Sequence, residues 1–600
     1  MLKKHERTSD GVLLKTSPEL VLLWIVGQVP IVGNLWVCIS LPILADFILA
    51  ITSHYVDSNF CLQEDLLDFQ HIPQRHTGRN LAKHVYNILE RYGLKYKLYC
   101  ITTDNADNNS KMVEELSKML CRKDNIHWDG PKHHIPCLAH VINLAVKDFL
   151  NALKVAKVNP QVDWRVFETK GPVKDKNDEI ESNESEGDGD TGFMNLDQDK
   201  EGETDYSSED EAIESDEIGE EISIAIAVKK LQMISRMANF PQTRILAFEQ
   251  CCHSAQIDPR RPIRDQATRW SSTYYMMERA IYLRRAIELW TRSDAKYEHL
   301  ILSDREWEMT EFLVQFLRPF SVITTIVQGT SHASLQETWV HYEAMFDVLD
   351  EAKETLKSLK KAPIWLAEVL IAIEAMWAKL RKYYDRTDRP FAYVDATLLH
   401  PGLKVRSMEK SGYSAELIEK YVKEAEARYI KFYDSPSHQA KMANRGKKRG
   451  RPNSDTDSSS DGDENDFTSY MARRREKGIQ DPLPWWATSG KFYIKLGMMA
   501  RDAYSVPPSS AGVEREFSIS GRVITKQRNR LAPKTIQDIM QVKRWLARHG
   551  KFSKVVKNAE DLDTVDDSED EDVNSGLKEW ADRWERKQKL SDRARKIATM

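Results

Sequence analysis

The chain has 600 residues, 41% hydrophobic and 30% charged, with a net charge of −5. That balance fits a soluble globular protein with charged, disordered segments and room for several domains; it decides nothing about nucleic acid, for which local charge is the better guide. Seven cysteines without a CxxC pair exclude a disulfide framework and a zinc-finger array, and fit a reducing compartment.

Residues 20–45 carry no charge and are long enough to span a bilayer. Gln28, Pro30, Asn34 and Pro42 interrupt the run, which leads into a strand pattern. It is too long and too far from the terminus for a signal peptide. A strand is expected in the 35–44 region. FILAITSHYVD (47–57) and FCLQEDLLDFQ then read as an antiparallel hairpin. Residues 77–92 place Leu81, Val85, Ile88 and Leu89 at helical spacing, and Gly93 ends that helix. KLYCITT (97–103) reads as a buried strand that stops at Asp104. A helix follows over 109–121, then a short HHIP strand and the helix CLAHVINLAVKDFL.

Residues 174–222 hold about twenty carboxylates in about fifty residues and read as disordered. Helical periodicity dominates 223–435, as in LAEVLIAIEAMWAKLRKYY. A polar break covers 436–480, a compact unit 481–550, and an acidic stretch opens the charged tail.

Asp104 has two readings. An acid after a strand makes an Asx-turn, or it is a Mg²⁺ ligand, which requires further hard oxygen ligands from other elements. Glu514, in SSAGVEREFS, would sit in the first turn of a helix. There it either complements the helix dipole or supplies such a ligand. Cys137 and His140 form a CxxH pair; structural packing is favoured there and zinc is not expected. Trp270 in TRWSST is a core aromatic or a stacking face for a base. Arg449, Gly450, Arg451 and Pro452 form an RGRP segment. It suits a narrow A·T minor groove, a nuclear-import signal or a basic linker. Ile536, Ile539, Met540, Trp545 and Leu546 lie on a broad apolar helical stripe, for core packing or self-association.

Taken together, several of these segments resemble the hobo/Activator (hAT) family of cut-and-paste DNA transposases. The matching pieces are AITSHYVD, ITTDNADNN, CLAH before INLA, RDQATRWSSTYYMMER, and the block from LPWWA through VEREFS to RNRLAPKTIQDIMQVKRWL. They run in family order over most of residues 39–548.

The resemblance implies an α/β RNase H-like core interrupted by a large all-α insertion, with disordered acidic segments. The implied domains are an atypical N-terminal segment (1–38), the first part of the core (39–160), an acidic segment (161–222) and the helical insertion (223–435). A polar linker with RGRP (436–480), a dimerisation block completing the core (481–550) and a charged tail (551–600) follow. Three acids would bind Mg²⁺ or Mn²⁺, the second mapping to Asp104 and the third to Glu514. Trp270 would stack on an extruded base, and 481–548 would dimerise.

The first acid departs from the pattern. In CISLPILADFILAIT, Ser40 and Leu41 match, but the expected aspartate falls on Leu44 and the WTSPN-like loop is absent. Asp46 is the nearest carboxylate. No BED-type finger spacing precedes residue 39. The expectation is a nuclear, transposase-derived protein that dimerises and binds DNA without cutting it, and takes no small-molecule substrate. The alternatives are an active transposase using Asp46 and a protein tethered to a membrane through residues 20–45.

Overall fold

The computed structural model describes residues 35–40, 48–72, 77–155, 223–266, 269–329, 332–358, 365–434, 465–523 and 533–548. Among them lies a five-stranded sheet in a mostly helical chain. Its strands are β1 (Leu35–Ser40), β2 (Ile48–Val56), β3 (Leu62–His71), β4 (Leu98–Thr103) and β5 (His134–Pro136), in the order β3-β2-β1-β4-β5. β1, β2 and β3 pair antiparallel; β4 and β5 run parallel to β1. The parallel steps need crossovers, and helices α1 (Gly78–Arg91) and α2 (Asp107–Asp124) supply them.

The expected elements from residue 47 to residue 150 are all present, with ends shifted by a few residues. β1 starts four residues before position 39, so the sheet begins inside the segment assigned to the atypical N-terminus. A stretch of the uncharged run is therefore a sheet strand; residues 20–34 and 41–45 lie outside the described residues.

Side-chain alternation gives the sheet two apolar faces. Leu49, Ile51, Leu67 and Ile101 pack with α1 and α2. Ala50, Val56, Phe69, Cys100 and Ile135 face a second core built from later helices. α1 is capped by Thr77, whose side chain accepts the Asn80 N–H. Gly93, at φ +64°, turns the chain out of that helix. α2 leans on α1 so closely that a Cβ at Gly78 would lie 2.6 Å from Lys111 Cβ and 2.8 Å from backbone.

α3 (Leu138–Ala152) leads away from the sheet. The helical region holds α4 (Ile224–Met237), α5 (Gln242–Ser254), α6 (Trp270–Tyr282), α7 (Arg284–Thr291), α8 (Asp304–Gln328), α9 (Thr338–Lys357) and α10 (Leu366–Tyr384). These share one core with α3. α8 opens with a capping box between Ser303 and Glu306.

The next helices, α11 (Phe391–Leu398), α12 (Lys404–Lys410) and α13 (Ala415–Phe432), leave that core. They pack instead with the second face of the sheet, together with α14 (Asp466–Ala472), α15 (Pro482–Thr488), α16 (Ile494–Tyr504), α17 (Ala511–Val523) and α18 (Pro533–Arg548). Two boundaries move accordingly. The helical segment 223–435 divides between two cores. The linker assigned to 436–480 contains α14, whose Phe467 and Tyr470 are buried. The acidic segment 161–222 and the RGRP residues lie outside the described residues.

Gly78→Ala should lower stability by about 1–3 kcal/mol, because the contacted atoms are the Cβ and backbone of Lys111, which cannot swing aside. Urea unfolding of both proteins measures this; an unchanged midpoint would show that the helix pair has slack.

Candidate active site

Asp104 follows the fully buried strand β4. Its Oδ1 accepts the Ala106 N–H at 3.1 Å and the Asn109 Nδ2 at 2.6 Å. This is the Asx-turn that starts α2. Both bonds fall on one oxygen, which leaves the other oriented by the turn and able to meet a cation. The turn and the ligand readings are therefore compatible.

The chain returns to this place 400 residues later. Thr102 Oγ1 donates to the Pro507 carbonyl at 3.2 Å, and the Leu138 N–H donates to the Pro508 carbonyl at 2.8 Å. Cys137 is fully buried at the start of α3; its Sγ accepts the Ser510 N–H at 3.3 Å and lies 3.6 Å from Ser509 Oγ. Burial pushes that thiol up, so it stays neutral. The cysteine of the CxxH pair is thus a packing and hydrogen-bonding residue that seats the loop before α17.

Glu514 lies in the first turn of α17. Burial pushes its carboxyl up; Asp104's charge adds to this, while Arg269 and Arg515 oppose it. Two acids far apart in sequence therefore share one electrostatic environment. His140 belongs to the same place: burial pushes its imidazole down, and Asp104 opposes that shift. Sequence reasoning identified His140 only as half of a CxxH pair and passed over Arg269. The RW dipeptide was a signal for Arg269, but only the fold turns it towards an acid.

The first-acid position falls in the β1–β2 connection. Ile39 pairs with Thr103 and Ser40 with Ala50, so both ends of this connection lie at the Asp104 end of the sheet. Leu44 and Asp46 lie outside the described residues. Among the described residues, no group of three or more His, Cys, Asp or Glu can hold a metal ion. Asp104 and Glu514 have the hard-oxygen chemistry Mg²⁺ or Mn²⁺ needs, but as a pair they form only part of a ligand set.

Two other expectations meet a different environment. Trp270 is 4% exposed and sits in the helical core near Tyr274, so its faces are packed by protein rather than offered to a base. Ile536 and Met540 are buried against the sheet, and Ile539 packs partly against the same core. Their apolar surface is spent within the chain. The side chains of Trp545 and Leu546 lie outside the described residues.

The raised Glu514 carboxyl generates a pH prediction. Its folded pKa lies above its unfolded value, so ionisation costs stability as pH rises from 4.5 through the folded pKa. Glu514→Gln removes that cost. The variant should melt above the wild-type protein at pH 7, and the gap should close as pH falls towards 4.5. Metal-free thermal melts across this range measure it; equal melting points at pH 7 would show that the site is open to water.

Comparison with known proteins gives the arrangement a lineage. Residues 41–132 match the ZBED1 RNase-like domain, residues 218–316 the ZBED1 RNase-like helical domain, and residues 466–546 the hAT family C-terminal dimerisation region. The chain is 23% identical to the Putative AC transposase of Zea mays, over 86% of this chain and 57% of that protein. It is 25% identical to the Putative transcriptional regulator tpeD of Talaromyces stipitatus, over 84% of this chain and 52% of that protein. It is 22% identical to the Zinc finger BED domain-containing protein DAYSLEEPER of Arabidopsis thaliana, over 83% of this chain and 61% of that protein. The chain thus spans little more than half the length of these relatives. The chain is thus similar to the hAT transposases and transposase-derived proteins, and its residues 466–546 match that family's C-terminal dimerisation region.

Proposed function

We propose that this is a nuclear, transposase-derived protein that self-associates and binds DNA but no longer cuts it. In this reading the sheet and its flanking helices are an RNase H-like core, and α4–α10 form the insertion that interrupts it. The observation that carries the proposal is that the Glu514 carboxyl feels the charge of Asp104, at the end of β4, in a sequence that has Leu44 where the family pattern expects its first acid.

The chemistry explains the loss. A bound divalent ion would neutralise charge on the attacking and leaving oxygens of a phosphodiester. Asp104 and Glu514 would hold such an ion from two sides. Leu44 supplies no oxygen, and its apolar side chain disfavours a hydrated ion beside it. The buried environment of Glu514, which favours the protonated acid, weakens the set further. Arg269, whose charge reaches Glu514, would also suit a phosphate, so affinity for a DNA backbone can outlast cleavage.

Purified protein with Mg²⁺ or Mn²⁺ should nick or join DNA no faster than its Asp104→Ala variant. Nicking that disappears in Asp46→Asn would overturn the reading and make Asp46 the first acid.

The RGRP segment supplies a separate DNA contact in this proposal. Arginines in an extended strand suit a narrow A·T minor groove, and glycine permits close approach. Arg449→Ala with Arg451→Ala should weaken binding to A·T-rich duplexes about tenfold more than binding to G·C-rich ones, with salt-sensitive affinity in the parent protein. Fluorescence anisotropy against both duplexes measures the difference; equal loss, or none, would leave an import signal or a linker.

A further inference from the structure

On α18, Ile536 and Met540 are buried within the chain and so are closed to a partner. The matched dimerisation region, residues 466–546, also offers side chains on other elements. Among its described residues, the large hydrophobic side chains that stand exposed are Phe492 at 75%, Ile494 at 74% and Val542 at 51%. Phe492 and Ile494 flank a single residue.

The local fold holds these two outward. A short 3₁₀ turn spans Ser489–Phe492 between α15 and α16. Gly490 lies so close to Trp486 that a Cβ there would approach Trp486 Cε3 to 2.6 Å. Tyr493, between the exposed pair, packs inward with its ring 5.8 Å from that of Tyr470. With the turn pinned to two buried aromatic residues, Phe492 and Ile494 are presented in place and lose little freedom on being covered.

A second helix ends beside this turn. Lys495 pairs with Asp434, which brings the end of α13 alongside the start of α16. Ile430 and Phe432 are exposed at 47% and 52% at that end. Lys491 and Lys431 lie over the Phe492 and Phe432 rings, 5.4 Å and 5.0 Å from their centroids. The result is an apolar centre with a charged rim, the usual anatomy of a protein interface.

We propose that Phe492 and Ile494 form the apolar centre of the contact with a second copy of this chain. The proposal rests on the self-association reading and gives it a location. A second copy fits because the patch falls in the matched dimerisation region and an apolar surface is self-complementary about a two-fold axis. Two side chains would be the energetic centre of a larger contact, since a stable interface buries about 800 Å² per partner.

Sedimentation velocity on the full chain tests it. The wild-type protein should be dimeric, and Phe492→Asp with Ile494→Asp should raise the dimer Kd at least ~100-fold, with an unchanged far-UV spectrum. Val542→Asp should leave the dimer intact. A wild-type dimer that survives the double substitution overturns the patch, as does one in which this segment is covered by another part of the same chain. A wild-type monomer overturns the self-association reading itself. Should the double variant misfold, Ile494→Cys decides the matter: a short bismaleimide should link two copies through that position, and failure to link a demonstrated dimer overturns the patch.

Discussion

The site depends on one seam. A loop from residue 505 to residue 510 lies along the end of β4 and the start of α3, held by the Leu138 N–H to Pro508 carbonyl bond, the Thr102 hydroxyl and the Cys137 thiol. Closing a loop of that length costs entropy that grows only slowly with length, so a few well-satisfied buried contacts can hold it. Without the seam, Asp104 is the cap of a helix and Glu514 is a charge at the start of another.

A charged network fixes the rotation of α17 once it is seated. Glu64 on β3 accepts Arg515 at 2.9 Å and Arg544 at 2.6 Å, and Arg544 Nε lies 2.7 Å from Glu516. Burial pushes Glu64 up, but His54, Arg515 and Arg544 outweigh it and hold the carboxyl below its usual range. Gly512 lets the helix approach: its Cβ position would lie 3.2 Å from the Glu64 carboxylate. Buried ion pairs contribute little net stability, because desolvation offsets their attraction, but a wrong rotation would leave charges unpaired. The network is better understood as setting register. With Arg515 committed to Glu64 on β3 and Glu516 to Arg544 on α18, Glu514 is left on another side of the helix, where it feels the charge of Asp104.

The same economy of roles appears in the CxxH pair. Cys137 serves the seam and His140 faces the acid, so one helical turn joins structure to site. This arrangement can persist after cleavage is lost, because the seam and the register stabilise the fold whether or not an ion binds.

Local order was legible in the sequence. Strand and helix periodicity from residue 47 to residue 150, the Gly93 stop and the turn at Asp104 follow from propensities and spacing within a few residues of each other. The family motifs, in order, indicated which distant acids belong together. Three matters were decided only by the tertiary structure. Trp270, Ile536 and Met540 are of types that suit either a core or a surface, and the fold buries all three. Arg269 and Glu514, 245 positions apart, come into electrostatic reach only through the fold. Phe492 and Ile494 stand exposed on a turn anchored by Gly490 and Tyr493, which no local spacing marks. Periodicity reports that a side chain is apolar; what covers it depends on contacts that sequence spacing does not contain.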